Sequence, residues 1–293
     1  MQETSFEGYG GLRLAADIGG DADGPPVLLL HGGGQTRHAW GTTAEVLASG
    51  GWRVASLDLR GHGDSEWDPD GDYRIDAFAG DVRAVAAELT RPDGLRPALV
   101  GASLGGISAM IAQGEADPDA GVASAVVLVD VAHRLETSGV RRIAEFMTAH
   151  LAGFDDLEAV ADAVAAYNPH RPRPTDLAGL RKNVRQRDDG RWYWHWDPRF
   201  VTGQLGSADE TRSDSMTSTR LRDAAGGLGV PTLLVRGRMS DLLSEEGARE
   251  LLDLLPGARY VDVAGAGHMV AGDRNDAFND AVVQFLADGR ADR

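Results

Sequence analysis

Gly101-Ala102-Ser103-Leu104-Gly105-Gly106 carries the sharpest chemical signal in the chain. It has the form G-x-S-x-G. It lies between an apolar run that reads as a strand, Ala98 to Gly101, and a small-residue stretch that reads as a buried helix, Ser103 to Gln113. A strand that turns straight into a helix leaves its apical residue in a strained conformation, and the positions two away must lack bulk. Glycine stands at both. Ser103 Oγ is then expected above the sheet as a nucleophile. The Leu104 amide is expected at a helix N-terminus, where unpaired N–H groups and the helix dipole favour an oxyanion. A serine hydroxyl needs a base. His268, in Gly265-Ala266-Gly267-His268 just past the last predicted strand, is the candidate. The base needs a carboxylate to fix its tautomer and stabilise the imidazolium. Asp241 is the first choice, because it follows the apolar run PTLLV through Arg236 to Ser240, beyond a strand end. Asp130, closing the run AVVLVD, is the alternative acid.

A second donor to the oxyanion is expected from His31-Gly32-Gly33-Gly34, after the apolar strand PVLLL. Glycine lets a backbone N–H approach a reacting oxygen closely. The Gly33 amide is the candidate, paired with that of Leu104, and His31 is expected to hold the loop. These glycines match no phosphate-binding pattern: the chain has no G-x-G-x-x-G here and no G-K-[ST]. No H-E-x-x-H or comparable spacing suggests a metal, and the chain has no cysteine, which excludes thiolate zinc sites, iron–sulfur clusters and disulfides.

The elements that must position these residues alternate. Two short segments, Thr4 to Glu7 and Leu12 to Asp17, flank a glycine turn and read as a hairpin. Strands follow at Pro26 to His31, Trp52 to Leu57, Ala98 to Gly101, Ala125 to Val131, Pro231 to Val235 and Arg259 to Val263. Between or after them, helices are expected at Ala39 to Ser49, Tyr73 to Leu89, Ser103 to Gln113, Ser244 to Leu255 and Arg274 to Leu286. That order predicts an α/β fold with a mostly parallel eight-stranded sheet and helices on both faces. Residues 133–226 interrupt the alternation as an insertion after the sixth strand. Phe146 to Tyr167 reads as helices, the block Trp192-Tyr193-Trp194-His195-Trp196 is aromatic, and Ser207 to Arg222 is polar. The division is a core of 1–132 with 227–293 and an insertion of 133–226. From the insertion Trp192, Trp194 and Trp196, with Gly34 from the glycine loop, are the candidates to line a substrate pocket.

A chain of 293 residues with 38 glycines and a formal charge of −16 supports a large core, puts much of its glycine at sharp turns, and argues against a basic face for nucleic acid or anionic lipid. Met1 to Gly20 shows neither a basic nor an apolar signal region, and no apolar run approaches the ~18 residues of a membrane span. The expectation is a cytoplasmic protein acting on a small molecule. A homo-oligomer stays open, because the sequence does not reveal the oligomeric state.

Taken together, these segments resemble the α/β-hydrolase superfamily, with the serine–acid–histidine order that its members use. The resemblance runs from PVLLLHGGG through Asp58-Leu59-Arg60-Gly61-His62-Gly63-Asp64-Ser65, the elbow and Arg236 to Asp241 to the GAGH loop. It is similar to the branch holding lidded esterases, cofactor-free haloperoxidases and epoxide hydrolases. It implies that 133–226 is a helical lid and that no cofactor is needed. A serine where epoxide hydrolases and dehalogenases carry aspartate points to hydrolysis of an ester, lactone or related carbonyl through an acyl-enzyme. A perhydrolase or haloperoxidase, a C–C bond hydrolase and a non-catalytic ligand receptor are the alternatives that the same fold allows.

Overall fold

The computed structural model describes residues 1–118, 120–169, 171–205, 210–268, 270 and 275–291. Labelled in chain order, the first half holds β1 (Gln2–Glu7), β2 (Arg13–Gly20), β3 (Pro26–Leu30), α1 (Gly41–Ser49), β4 (Arg53–Leu57), α2 (Ile75–Leu89), β5 (Ala98–Ala102), α3 (Leu104–Gly114) and β6 (Ala125–Val129). Then come α4 (Thr137–Thr148), α5 (Leu157–Tyr167), β7 (Val184–Gln186), β8 (Trp192–Trp194), α6 (Pro198–Leu205) and α7 (Glu210–Gly226). The chain closes with β9 (Thr232–Gly237), α8 (Glu245–Leu254), β10 (Arg259–Val263) and α9 (Asn275–Ala291).

Eight strands form one sheet in the order β1-β2-β4-β3-β5-β6-β9-β10. The β1–β2 hairpin is antiparallel and β2 runs antiparallel to β4; from β4 to β10 every pairing is parallel. Alternate residues of a strand face opposite sides, and the central strands show this as two separate cores. Leu28, Leu30, Leu99, Val126, Leu128 and Leu234 pack toward α2, α3 and α8. Val27, Leu29, Val100, Val127, Leu233 and Val235 pack toward α1 and α9. Because apolar residues point both ways, the strands read as unbroken apolar runs, as expected for a parallel sheet covered on both faces.

Among the described residues the segment between β6 and β9 adds no strand to this sheet. The helices of that segment differ from the sequence expectation in extent: α4 begins at Thr137, well before Phe146, and the chain breaks before α5. The Asp156 side chain caps α5 by accepting from Ala159 N at 2.9 Å. The aromatic block forms β8, paired antiparallel with β7. Of the polar stretch Ser207 to Arg222, residues 206–209 lie outside the described residues, as does the predicted helix start Arg274. From Glu210 onward the chain is helical. The C-terminal end of α7 buries Leu221, Ala224 and Ala225, and a Cβ on Gly114 would strike the Ala224 carbonyl. This helix therefore lies against α3 over the sheet, because its few apolar residues share one face and glycine allows close approach. Among the described residues no helix is long and apolar enough to cross a membrane.

Candidate active site

The topology brings four strand ends together. β5 sits between β3 and β6, and β6 pairs with β9. The loops leaving these strands thus meet at one carboxyl edge of the sheet, where open α/β sheets bind ligands.

Ser103 lies at the β5–α3 junction with φ 46° and ψ −114°. Positive φ in a non-glycine residue costs of order 1–3 kcal/mol and persists only where the surroundings impose it. They do so here. Ser103 N donates to Val129 O at 3.2 Å, and Ile107 N donates to Ser103 O at 2.9 Å. A Cβ on Gly101 would lie 2.5 Å from the Gly105 carbonyl oxygen, and one on Gly105 would collide with the Leu30 carbonyl. Glycine is required at both positions, as the spacing predicts.

The loop after β3 is held by buried imidazoles. His31 Nε2 accepts from Leu59 N at 2.9 Å, so its Nδ1–H donates to Gly32 O at 2.8 Å. His62 Nε2 accepts from Gly34 N at 3.1 Å, and its Nδ1–H donates to Arg60 O at 2.9 Å. His195 Nδ1 accepts from Gly63 N at 2.7 Å. Burial pushes His31 down to about 4 and His62 to about 3, with charges of Arg37 and His31 respectively acting the same way, so both rings are neutral acceptors at neutral pH. Behind them Arg37 donates to Asp58 at 2.5 Å and to Asp64 at 2.7 Å, and Arg60 donates to Asp81 at 2.6 Å. The segment Asp58 to Ser65 is therefore scaffolding for the glycine loop. The Gly32 amide donates to Gln35 Oε1 and that of Gly34 to His62. The amides of Gly33 and Leu104 have no acceptor among the described residues, and both residues line the cavity described below. A Cβ on Gly32 would lie 3.4 Å from Ser103 Cβ, so this loop stands directly beside the serine.

The carboxylate that contacts His268 is that of Asp130, not that of the first choice, Asp241. His268 Nδ1–H donates to Asp130 Oδ2 at 2.6 Å. Asp130 is fully buried, and His268 is 13% exposed. Asp130 Oδ1 also accepts from Gly237 N at 3.0 Å, and Oδ2 from Ser240 Oγ at 2.5 Å. Three donors thus hold the carboxylate, and its own φ of 51° turns it toward the ring. Asp241 instead pairs with Arg142 and is 45% exposed; it is near enough to His268 to feel its charge but makes no hydrogen bond to it. Partial burial raises the Asp241 carboxyl, but the hydrogen bonds and charge of Arg142 outweigh that and hold it below the usual carboxylate range. The correction has a simple cause. β6 and β9 are neighbours, so an acid after either strand can approach His268, and the sequence does not reveal which side chain the loops turn inward.

Ser103 and His268 line one cavity of about 470 Å³. Gly34, Trp194 and Trp196 line it too; Trp192 does not. Its ring is covered by the Arg181 guanidinium at 5.0 Å. Trp194 and Trp196 stack at 4.9 Å with their planes 12° apart, and Phe146 lies 5.2 Å from Trp194. Sequence reasoning missed the polar lining residues His38, Lys182 and Asn183. One signal for them was present: Lys182 is the only lysine in the chain.

A sheet of this order, with a cavity over the carboxyl ends of its central strands, defines the molecule as an α/β protein with its candidate site at that edge. The chain belongs to the alpha/beta hydrolase family, whose model matches residues 27–281, and it is a hydrolase. It is 31% identical over 275 residues to esterase Rv0045c of Mycobacterium tuberculosis, covering 90% of this chain and 83% of that one. A solved structure of that esterase superposes with a TM-score of 0.72 at 28% identity, over 98% of this chain and 93% of the other. The chain is also 28% identical to a 3-hydroxybutyrate-oligomer hydrolase of Cupriavidus necator, over 87% of each. The structure of an enol-lactonase from Burkholderia xenovorans matches with a TM-score of 0.71 at 26% identity, covering 97% of this chain and 100% of that one.

Proposed function

We propose that the protein is a serine hydrolase that cleaves carboxylic esters, lactones or closely related carbonyl compounds through an acyl-enzyme. The observation that carries this reading is the His268–Asp130 hydrogen bond at the wall of the cavity that Ser103 also lines. Ser103 is the nucleophile, His268 the base and Asp130 the acid. Asp130 holds the Nδ1 proton and leaves Nε2 free to take the proton of Ser103 as Oγ bonds to the substrate carbonyl carbon. The two unengaged amides, of Gly33 and Leu104, receive the developing oxyanion. The protonated imidazole then gives its proton to the leaving alkoxide as the ester C–O bond breaks. A water, deprotonated by the same ring, attacks the acyl carbonyl, and release of the acid restores Ser103. The volume suits a small-molecule substrate. The insertion, which supplies Phe146, Trp194 and Trp196 to the wall, acts as the lid. The names of the relatives, an esterase, an oligomer hydrolase and an enol-lactonase, point to the same bond type.

The experiment is covalent labelling with a fluorophosphonate, read by intact mass, alongside turnover of short p-nitrophenyl esters. The wild-type protein is expected to take one label and to turn over; Ser103→Ala is expected to do neither. Turnover at the wild-type rate by Ser103→Ala removes the serine from the mechanism.

A further inference from the structure

Lys182 is the only lysine among 293 residues, and it lies on the wall of the cavity that holds Ser103 and His268. It ends the 3-10 turn Gly179–Lys182 of the insertion, next to Asn183, which lines the same cavity. The cations around it are committed elsewhere. Arg142 pairs with Asp241, Arg185 with Asp64, and Arg181 covers the Trp192 ring. Among the described residues no hydrogen bond or ion pair engages Lys182 Nζ. The Asn183 side-chain amide is likewise unengaged. His38, a third lining residue, lies close enough for the lysine charge to oppose its protonation, behind the larger effects of burial and Arg37. Among the described residues no aspartate, glutamate or arginine lines the cavity, although the protein carries a net charge of −16. The chamber is therefore largely apolar and aromatic, with uncharged polar groups such as Gln35 and Asn168 and one unpaired positive charge, that of the solvent-exposed Lys182, on its wall.

We propose that the substrate is anionic: an ester or lactone bearing, apart from the scissile carbonyl, a carboxylate that pairs with Lys182 and accepts from the Asn183 amide. The substrate class rests on the reading of Ser103 as nucleophile; binding of the anion does not. A lysine suits this role because its ammonium is a compact charge on a flexible stem, able to meet carboxylates at several depths. Charge-assisted hydrogen bonds are about twice as strong as neutral ones. A carboxylate-free wall spares the substrate the repulsion that an acidic protein otherwise presents. The apolar remainder accommodates the hydrocarbon between ester and carboxylate.

The test separates binding from chemistry. Ser103→Ala protein, which does not turn substrate over, is titrated by calorimetry with monomethyl glutarate and with the neutral methyl pentanoate. The half-ester is expected to bind about tenfold more tightly. The advantage is expected to vanish in Ser103→Ala/Lys182→Met and to weaken with added salt. In Ser103-containing protein, the ratio of kcat/KM for a p-nitrophenyl hemiglutarate over p-nitrophenyl pentanoate is expected to fall about tenfold on Lys182→Met, carried by KM. Lys182→Arg should recover part of it. Equal binding of both esters, or an advantage that survives Lys182→Met, overturns the anion site whatever the fate of the serine. Preferential binding of the half-ester by a wild-type protein that neither turns over nor takes the fluorophosphonate overturns the serine reading instead and leaves the anion site standing.

Discussion

Arg142 grips Asp241 through two hydrogen bonds, Nε–H to Oδ2 at 2.6 Å and Nη2–H to Oδ1 at 2.8 Å. It thereby ties α4 of the insertion to the loop that follows β9. The same guanidinium donates to Tyr167 O at 3.1 Å and lies 4.7 Å from the Tyr167 ring centroid. Glu136 N donates to Leu242 O at 2.8 Å one turn away. Insertion and core are thus joined at the loop where the acid was first expected, and Asp241 is part of that joint.

The joint is on the surface, so its energy is modest. Both partners are about 40% exposed, and exposed ion pairs contribute about 0–1 kcal/mol. Arg142→Ala is expected to lower global stability by about that amount, seen as a small shift of the urea midpoint. Hydrogen exchange in α4 and α5 is expected to accelerate by up to about fivefold, the factor that 1 kcal/mol corresponds to. Unchanged exchange in those helices would show that the pair does not hold the insertion down.

Exchanging the two acids tests the proposed mechanism directly. Asp130→Asn removes the carboxylate that fixes the His268 tautomer and is expected to lower kcat by about 10⁴-fold on a p-nitrophenyl ester. Asp241→Asn leaves that contact intact and is expected to change kcat only a few-fold. Circular dichroism controls for folding, because Asp130 also accepts from Gly237 N and Ser240 Oγ. The opposite pattern, an active Asp130→Asn beside an inactive Asp241→Asn, would return the role to the first candidate.

The imidazoles under the glycine loop predict acid lability. In the unfolded chain His31 and His62 titrate near the ordinary value of about 6.5; in the fold burial holds them to about 4 and about 3. Between those values the unfolded state binds protons that the native state does not, so stability rises with pH. Their contribution is complete above about pH 6.5 and is lost as pH falls through the folded values. At pH 5 each buried ring costs on the order of 2 kcal/mol relative to pH 7. The urea midpoint is expected to drop between pH 7 and pH 5, before most carboxylates protonate. A flat profile over that interval contradicts the neutral, buried assignment.

Trp196 couples stability to the shape of the cavity. Its ring is nearly fully buried, stacks on Trp194 and sits 3.4 Å from where a Cβ on Gly34 would be. Trp196→Ala is expected to cost about 3–5 kcal/mol and to move the preferred acyl length upward in an ester panel. The half-buried Tyr193, on the other face of β8 beneath Arg187, serves as the contrast. Tyr193→Ala should leave the length preference where it was.

What the sequence determined by itself is whatever depends on near neighbours along the chain. The elbow is legible because its glycines are two residues from Ser103 and its flanks alternate from strand to helix. The sheet is legible because each buried parallel strand is a short apolar run. The imidazole of His268 is legible because it follows the last such run. Tertiary structure alone decided everything that depends on which way a side chain turns between neighbours distant in sequence. Asp130 and Asp241 both follow strands, and those strands are adjacent; only the inward turn of Asp130 at φ 51° and the capture of Asp241 by Arg142 separate them. Trp192 and Trp194 share a face of β8 by period, yet only Trp194 reaches the cavity. Lys182 is one letter in a polar stretch until the fold lays that stretch on the wall of the cavity that Ser103 also lines. The physical reason is common to all three. Hydrophobic burial and backbone pairing select elements from local pattern, whereas the partner of a charge or the occupant of a cavity wall is chosen by packing among elements that the chain brings together only when folded.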